Sequence, residues 1–154
     1  MKNYFEMLDL PKSPSLDEVL IRNQYFAKQR QFHPDNAKNS KQRLEFLQIS
    51  ADINAAYHTL KSPENRLYYL LKLQGVDILH EHNAPAPSPA ILMEAMQLRE
   101  EMLEANSDEA KQQFKHKLQA MRDELLNKAI TSFENNDLQQ ATNHAMRLRY
   151  LSKI

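Results

Sequence analysis

The chain has no cysteine and a single glycine in 154 residues. Without cysteine there are no disulfides, no thiolate nucleophiles and no thiolate metal sites. The lone Gly75 excludes the glycine-rich loops that cradle nucleotide phosphates, so ATP is not bound by that route. No apolar run approaches the roughly 18 residues that a membrane span needs. The opening stretch MKNYFEMLDL lacks the form of a signal peptide, and the expectation is a soluble cytoplasmic protein without a membrane partner. Excess charge is also missing: 20 basic residues face 20 acidic ones, and no nucleic-acid partner is expected. The halves differ slightly, with 11 basic against 8 acidic residues over 1–75 and 9 against 12 over 76–154.

What is present reads as helix. Strand-like alternation is absent over any useful length, and the expected class is all-α. A short helix fits Tyr4–Leu8, stopping near Pro11. SLDE at Ser15–Glu18 matches a capping box and opens a second helix. Leu16, Val19, Leu20, Asn23, Ala27 and Arg30 share one side of it, with Arg22, Tyr25, Lys28 and Gln29 on the other. This helix ends near Gln31–Phe32, ahead of Pro34. Ser40 can cap the next, whose stripe is Phe46, Ile49, Ile53, Tyr57 and Leu60. The two stripes predict an antiparallel hairpin, with residues 33–35 at its tip. Ser62 and Pro63 restart a helix that Gly75 can end in a left-handed conformation.

Three prolines in HEHNAPAPSPA, residues 80–90, mark a semi-rigid linker. Further helices are expected from Pro89 to about Glu104, from Ser107 to about Glu134, and from a capping box at Asp137–Gln140 onward. The organisation expected is a helical hairpin with flanking short helices over 1–75, a linker over 76–88, and a three-helix bundle over 89–154.

His33-Pro34-Asp35 is open to three readings from its residues alone. It can be a turn, with proline fixing the chain and aspartate bonding locally. A His–Asp pair can also serve catalysis, but a loop tip offers no pocket and no serine or cysteine lies near in sequence. Metal binding needs further ligands, and the other local histidines, His80 and His82, lie in the linker. No enzyme activity, metal or cofactor is expected. The third reading is a handle for another protein.

A helix carrying Arg22, Tyr25 and Lys28, then FHPD, then INAAYHTLKSPENR, resembles the J-domain of DnaJ-type co-chaperones over residues 1 to about 75. The resemblance implies that the helix presents positive charge to a heat-shock chaperone. It implies too that His33, Pro34 and Asp35 dock on that chaperone and promote hydrolysis of its ATP.

PAILMEAMQLREEMLEA, from Pro89, has more apolar surface than one core stripe requires. Ile91, Ala95, Leu98 and Met102 line one side, while Leu92, Met93 and Met96 point elsewhere, near Glu100 and Glu104. In the last helix Ala141, Ala145 and Leu148 face inward and Tyr150 lies opposite. Such residues either pack against a neighbouring element or form an apolar protein-binding patch with an acidic rim. ILMEAMQLREEM, YLLKLQGVD and RLRYLSKI are similar to the HscB family of iron–sulfur co-chaperones. This resemblance implies that the bundle binds an IscU-type scaffold through Leu92, Met93, Met96, Glu100, Glu104 and Tyr150. Gln97 stands where some relatives have glutamate. The implied partners are that scaffold and an HscA-type chaperone ATPase; the alternative is a J-domain co-chaperone for general folding clients.

Overall fold

The computed structural model describes residues 2–80 and 82–154. Seven α-helices follow one another along the described residues, with no strand among them: α1 (Tyr4–Met7), α2 (Glu18–Gln31), α3 (Ser40–Leu60), α4 (Pro63–Leu73), α5 (Pro89–Glu104), α6 (Asp108–Glu134) and α7 (Leu138–Ser152). A 3-10 turn, Pro34–Asn36, sits between α2 and α3. The chain divides into two compact units, Met1–Tyr69 and Leu70–Ile154.

Caps set most helix starts. Ser88, Ser107 and Asp137 accept from the amides of Ile91, Ala110 and Gln140, as their sequence positions predict. Two caps differ from expectation. Ser15 and Leu16 stay outside α2, and Asp17 caps it instead, accepting from the Val19 amide at 2.8 Å. A carboxylate there also meets the positive end of the helix dipole, which a serine hydroxyl does not match. Likewise Asn39 rather than Ser40 caps α3. Its side-chain Oδ1 accepts from the Gln42 amide while the Gln42 side chain accepts from the Lys38 amide, so both orphan donors are satisfied. Gly75 has φ 91°, the left-handed conformation its place after α4 requires.

In the first unit α1 and α2 both pack on α3. Phe5, Leu8, Ile21, Ile53, Ala56 and Leu60 are buried together with Leu67 and Tyr68 of α4. Tyr4 stacks on Tyr69 with centroids 4.6 Å apart, and the Tyr69 hydroxyl accepts from the Tyr4 amide. The Arg66 guanidinium is also buried, and desolvation pulls its pKa below the usual value against the opposing field of Glu18.

The rotation of α2 corrects the sequence reading. Val19, Leu20, Asn23, Ala27 and Arg30, expected to face inward, are exposed. Ile21, Gln24, Tyr25, Lys28, Gln29 and Phe32 form the inward stripe instead. Four of these six carry an apolar stem with a polar tip, so counting apolar residues misses them. Each tip finds a partner. Tyr25 Oη and Gln29 Nε2 both donate to Asn54 Oδ1, at 2.6 and 2.8 Å. Gln24 Nε2 donates to the Leu8 carbonyl, and Lys28 Nζ pairs with Asp9 at 2.7 Å. The Tyr25 ring stacks on Tyr57 at 4.0 Å. Tyr25 and Lys28 are therefore half-buried rather than displayed.

In the second unit α6 and α7 pack most extensively. Ala129, Ala141 and Ala145 are fully buried, and their small side chains let these helices approach closely. Ile91, Ala95 and Leu98 of α5 close the core. Met102, expected in the same stripe, is exposed: the last turn of α5 runs past the final buried layer at Leu98. Arg147 grips Glu94 through two bonds, of 2.7 and 3.2 Å, and Lys117 grips Glu101 at 2.8 and 3.0 Å.

Leu98→Ala should lower stability by about 2–5 kcal/mol, because a fully packed leucine leaves a cavity; urea melts of the two proteins measure it. A second outcome concerns His144 of α7, whose Nδ1 is shielded from solvent without a partner. Desolvation, then Arg147 and Lys128, hold its pKa below 6.5, with Asp137 opposing. The folded form thus binds this proton less tightly than the unfolded chain. Its contribution is complete above pH 6.5 and is lost as pH falls toward the folded value. Denaturation midpoints followed from neutral to mildly acidic pH should fall, and His144→Gln should flatten that fall.

Candidate binding surfaces

The loop after α2 is fixed from within and open outward. Phe32 ends the helix, its amide donating to the Lys28 carbonyl. Its own carbonyl accepts from Ser50 Oγ at 3.1 Å, and its ring meets Phe46 edge-on at 5.5 Å. His33 then turns extended and caps the 3-10 turn, with Pro34 at its first position. Asn36 and Ala37 amides donate to the His33 and Pro34 carbonyls. Asn36 Nδ2 reaches back to the Arg30 carbonyl at 2.7 Å, tying the turn to α2.

His33 Nδ1 accepts from the Asp35 amide at 3.1 Å and lies 3.5 Å from the Asp35 carboxylate. In the neutral ring the amide bond occupies the Nδ1 lone pair, which leaves the proton on Nε2. The side chains of His33 and Asp35 are 58% and 80% exposed, so an imidazole donor and a carboxylate acceptor are displayed side by side. Among the described residues no three His, Cys, Asp or Glu side chains gather where they could hold a metal ion. Histidine and carboxylate do meet within residues 76–88, where His80 Nδ1 contacts Asp77 Oδ2 at 2.6 Å.

The second surface is the outer face of α5. Leu92, Met93 and Met96 are exposed there, at 42%, 59% and 59%, together with Glu100 and Glu104. Gln97 lies beside them, also exposed. Glu94 and Glu101, by contrast, are held by Arg147 and Lys117. The structure adds Leu103, 76% exposed. It falls seven residues after Met96 and eleven after Leu92, which at 100° per residue is the same face; that spacing was available in the sequence. Tyr150 of α7 is half-buried, with Lys153 Nζ 5.2 Å from its ring centroid.

An exposed His-Pro-Asp turn at the tip of an antiparallel helical hairpin, in a chain that continues into a helical bundle, defines a J-domain co-chaperone. Family models agree: one described as DnaJ domain matches residues 3–69, and one described as HSCB C-terminal oligomerisation domain matches 87–154. The chain is 35% identical to a co-chaperone protein HscB homolog of Vibrio cholerae, covering 99% of this chain and 92% of that one. It is 36% identical to the homolog of Vibrio vulnificus at the same coverages. The solved Vibrio cholerae chaperone HscB matches with a TM-score of 0.82 at 35% identity, covering 99% of this chain and 92% of that one. Human co-chaperone protein HscB matches with a TM-score of 0.88 at 28% identity, over 99% of this chain and 78% of that one. The chain belongs to the HscB co-chaperone family.

Asn36→Ala should cost about 1 kcal/mol or less of global stability, the worth of one exposed hydrogen bond. It should nonetheless free the turn from α2, which faster hydrogen exchange at the Asn36 and Ala37 amides would report.

Proposed function

We propose that this co-chaperone links two proteins in iron–sulfur cluster biogenesis. It binds an IscU-type scaffold, delivers it to an HscA-type chaperone and stimulates that chaperone's ATPase, in the cytoplasm. In this reading residues 1–75 are the J-domain, residues 76–88 act as linker, and 89–154 bind the scaffold. The observation that carries the scaffold arm is the α5 face. Four large apolar side chains are displayed on one helix surface beside two carboxylates, Glu100 and Glu104, that make no ion pair among the described residues. An apolar centre with a charged rim is the anatomy of a protein interface. Tyr150, half-buried on α7, is proposed as a further contact.

The chaperone arm is the loop. Asp35 can accept a charge-assisted bond from an arginine of the chaperone while His33 Nε2 donates beside it. The turn is pre-formed by its backbone bonds and by Asn36, so little ordering is lost on docking. Scaffold held on α5 is thereby brought to the chaperone at raised effective concentration. Arg22 stays in the proposed chaperone surface. Tyr25 and Lys28 support it from within α2, Lys28 being engaged with Asp9. The role needs no cofactor of its own.

Steady-state ATPase of the HscA-type chaperone, with the scaffold and this chain added separately and together, tests the reading. His33→Gln and Asp35→Asn should abolish stimulation while melting is unchanged; full stimulation by either folded variant would sink the chaperone arm. Met96→Ala or Leu103→Ala should each weaken scaffold binding, with an anchor worth about 2 kcal/mol or roughly thirtyfold in affinity. Calorimetry that found wild-type affinity in the Met96→Ala, Leu103→Ala double variant would remove the scaffold arm.

A further inference from the structure

The outward face of α2 carries a row in which Phe26 and Arg30 stand beside Arg22. Arg22, Phe26 and Arg30 follow one another at intervals of four, so they climb the helix one turn apart. Phe26 is 50% exposed, with exposed Val19, Leu20 and Ala27 widening the apolar ground around it. Its ring leans on Tyr25, centroids 5.3 Å apart, and Tyr25 is itself clamped to Tyr57 and Asn54. An exposed aromatic is thereby held on a rigid base. Neither Arg22 nor Arg30 makes an ion pair among the described residues, whereas Lys28 is taken by Asp9. The row leads into the loop, since Asn36 Nδ2 bonds the Arg30 carbonyl.

We propose that Phe26 is the anchor by which α2 docks on the chaperone, and that the surface it fits is an apolar hollow edged by carboxylates. This rests on the co-chaperone reading above and names the side chains that select the partner. Aromatic residues and arginines are the groups that most often dominate a protein interface. Two unpaired guanidiniums either side of a ring call for acid at the rim and apolar surface at the centre. Such charges speed encounter, while the ring governs how long the complex lasts. Two arginines among neutral and apolar side chains do not make the dense cationic stripe that a nucleic acid needs.

The test measures binding of the full chain to the purified HscA-type chaperone in ATP, at low and at high salt, beside ATPase stimulation and melting. Phe26→Ser should raise Kd by about tenfold or more at both salt levels through faster dissociation, since loss of an apolar anchor is not screened. Arg22→Glu and Arg30→Glu should slow association, chiefly at low salt. Melting should stay at the wild-type value; if Phe26→Ser loses helix, Phe26→Gln provides the same readout. Wild-type affinity of the folded Phe26 variant, with His33→Gln inactive, would overturn this docking row and leave the co-chaperone reading standing. Full stimulation by His33→Gln would overturn that reading and the docking row with it. A dimer of the free chain that Phe26→Ser disperses would overturn it too, by showing that the face serves self-association.

Discussion

The clamp between α2 and α3 is the constraint on which the first unit depends. Tyr25 stacks on Tyr57, and a single acceptor, Asn54 Oδ1, takes both the Tyr25 hydroxyl and the Gln29 amide. Two donors on adjacent turns converging on one oxygen fix the rotation of α2 about its axis far more tightly than an apolar stripe would. Lys28 to Asp9 and Gln24 to the Leu8 carbonyl fix it again at the segment between α1 and α2. From that rotation everything outward follows: which cations reach solvent, where Phe26 stands, and the direction in which the chain leaves Phe32 to form the turn.

In the second unit the deciding contrast is between carboxylates that are spent and those that are spare. Glu94 and Glu101 hold α7 and α6 to α5 through bidentate pairs. In the Arg147 pair the geometry is the kind in which a surface ion pair contributes measurably, a planar fork meeting a carboxylate. Glu100 and Glu104 sit on the exposed face of the same helix and make no ion pair among the described residues. One helix thus uses acidic residues for two purposes, separated only by their angle about its axis.

Legibility followed the locality of the signal. Caps at Ser88, Ser107 and Asp137 and the left-handed Gly75 depend on a few neighbouring residues, and each was readable. Leu92, Met93 and Met96 were legible as exposed because buried Ile91, Ala95 and Leu98 left them no room in the core. The facing of α2 was not legible. Its inward stripe is built from Gln24, Tyr25, Lys28 and Gln29, whose burial makes sense only once Asn54, Tyr57 and Asp9 are in place, contacts between residues far apart in sequence. Met102 failed for a related reason, since where a bundle's last layer ends is a property of three helices together. Asp17 and Asn39 displaced Ser15 and Ser40 because several capping residues crowd each start, and geometry chooses among them.

The two nitrogens of His33 do different work. Nδ1 is turned inward as an acceptor for the Asp35 amide, which leaves Nε2–H as the group shown to solvent. Among side chains an asparagine can mimic the first nitrogen and a glutamine the second, but neither spans both positions. A residue here must shape its own loop and address the outside with atoms on opposite edges of one rigid ring. Only imidazole offers an acceptor and a donor in that arrangement, so no other side chain reproduces both. The constraint is written into the two edges of one ring, even though more than half of that side chain lies in open water.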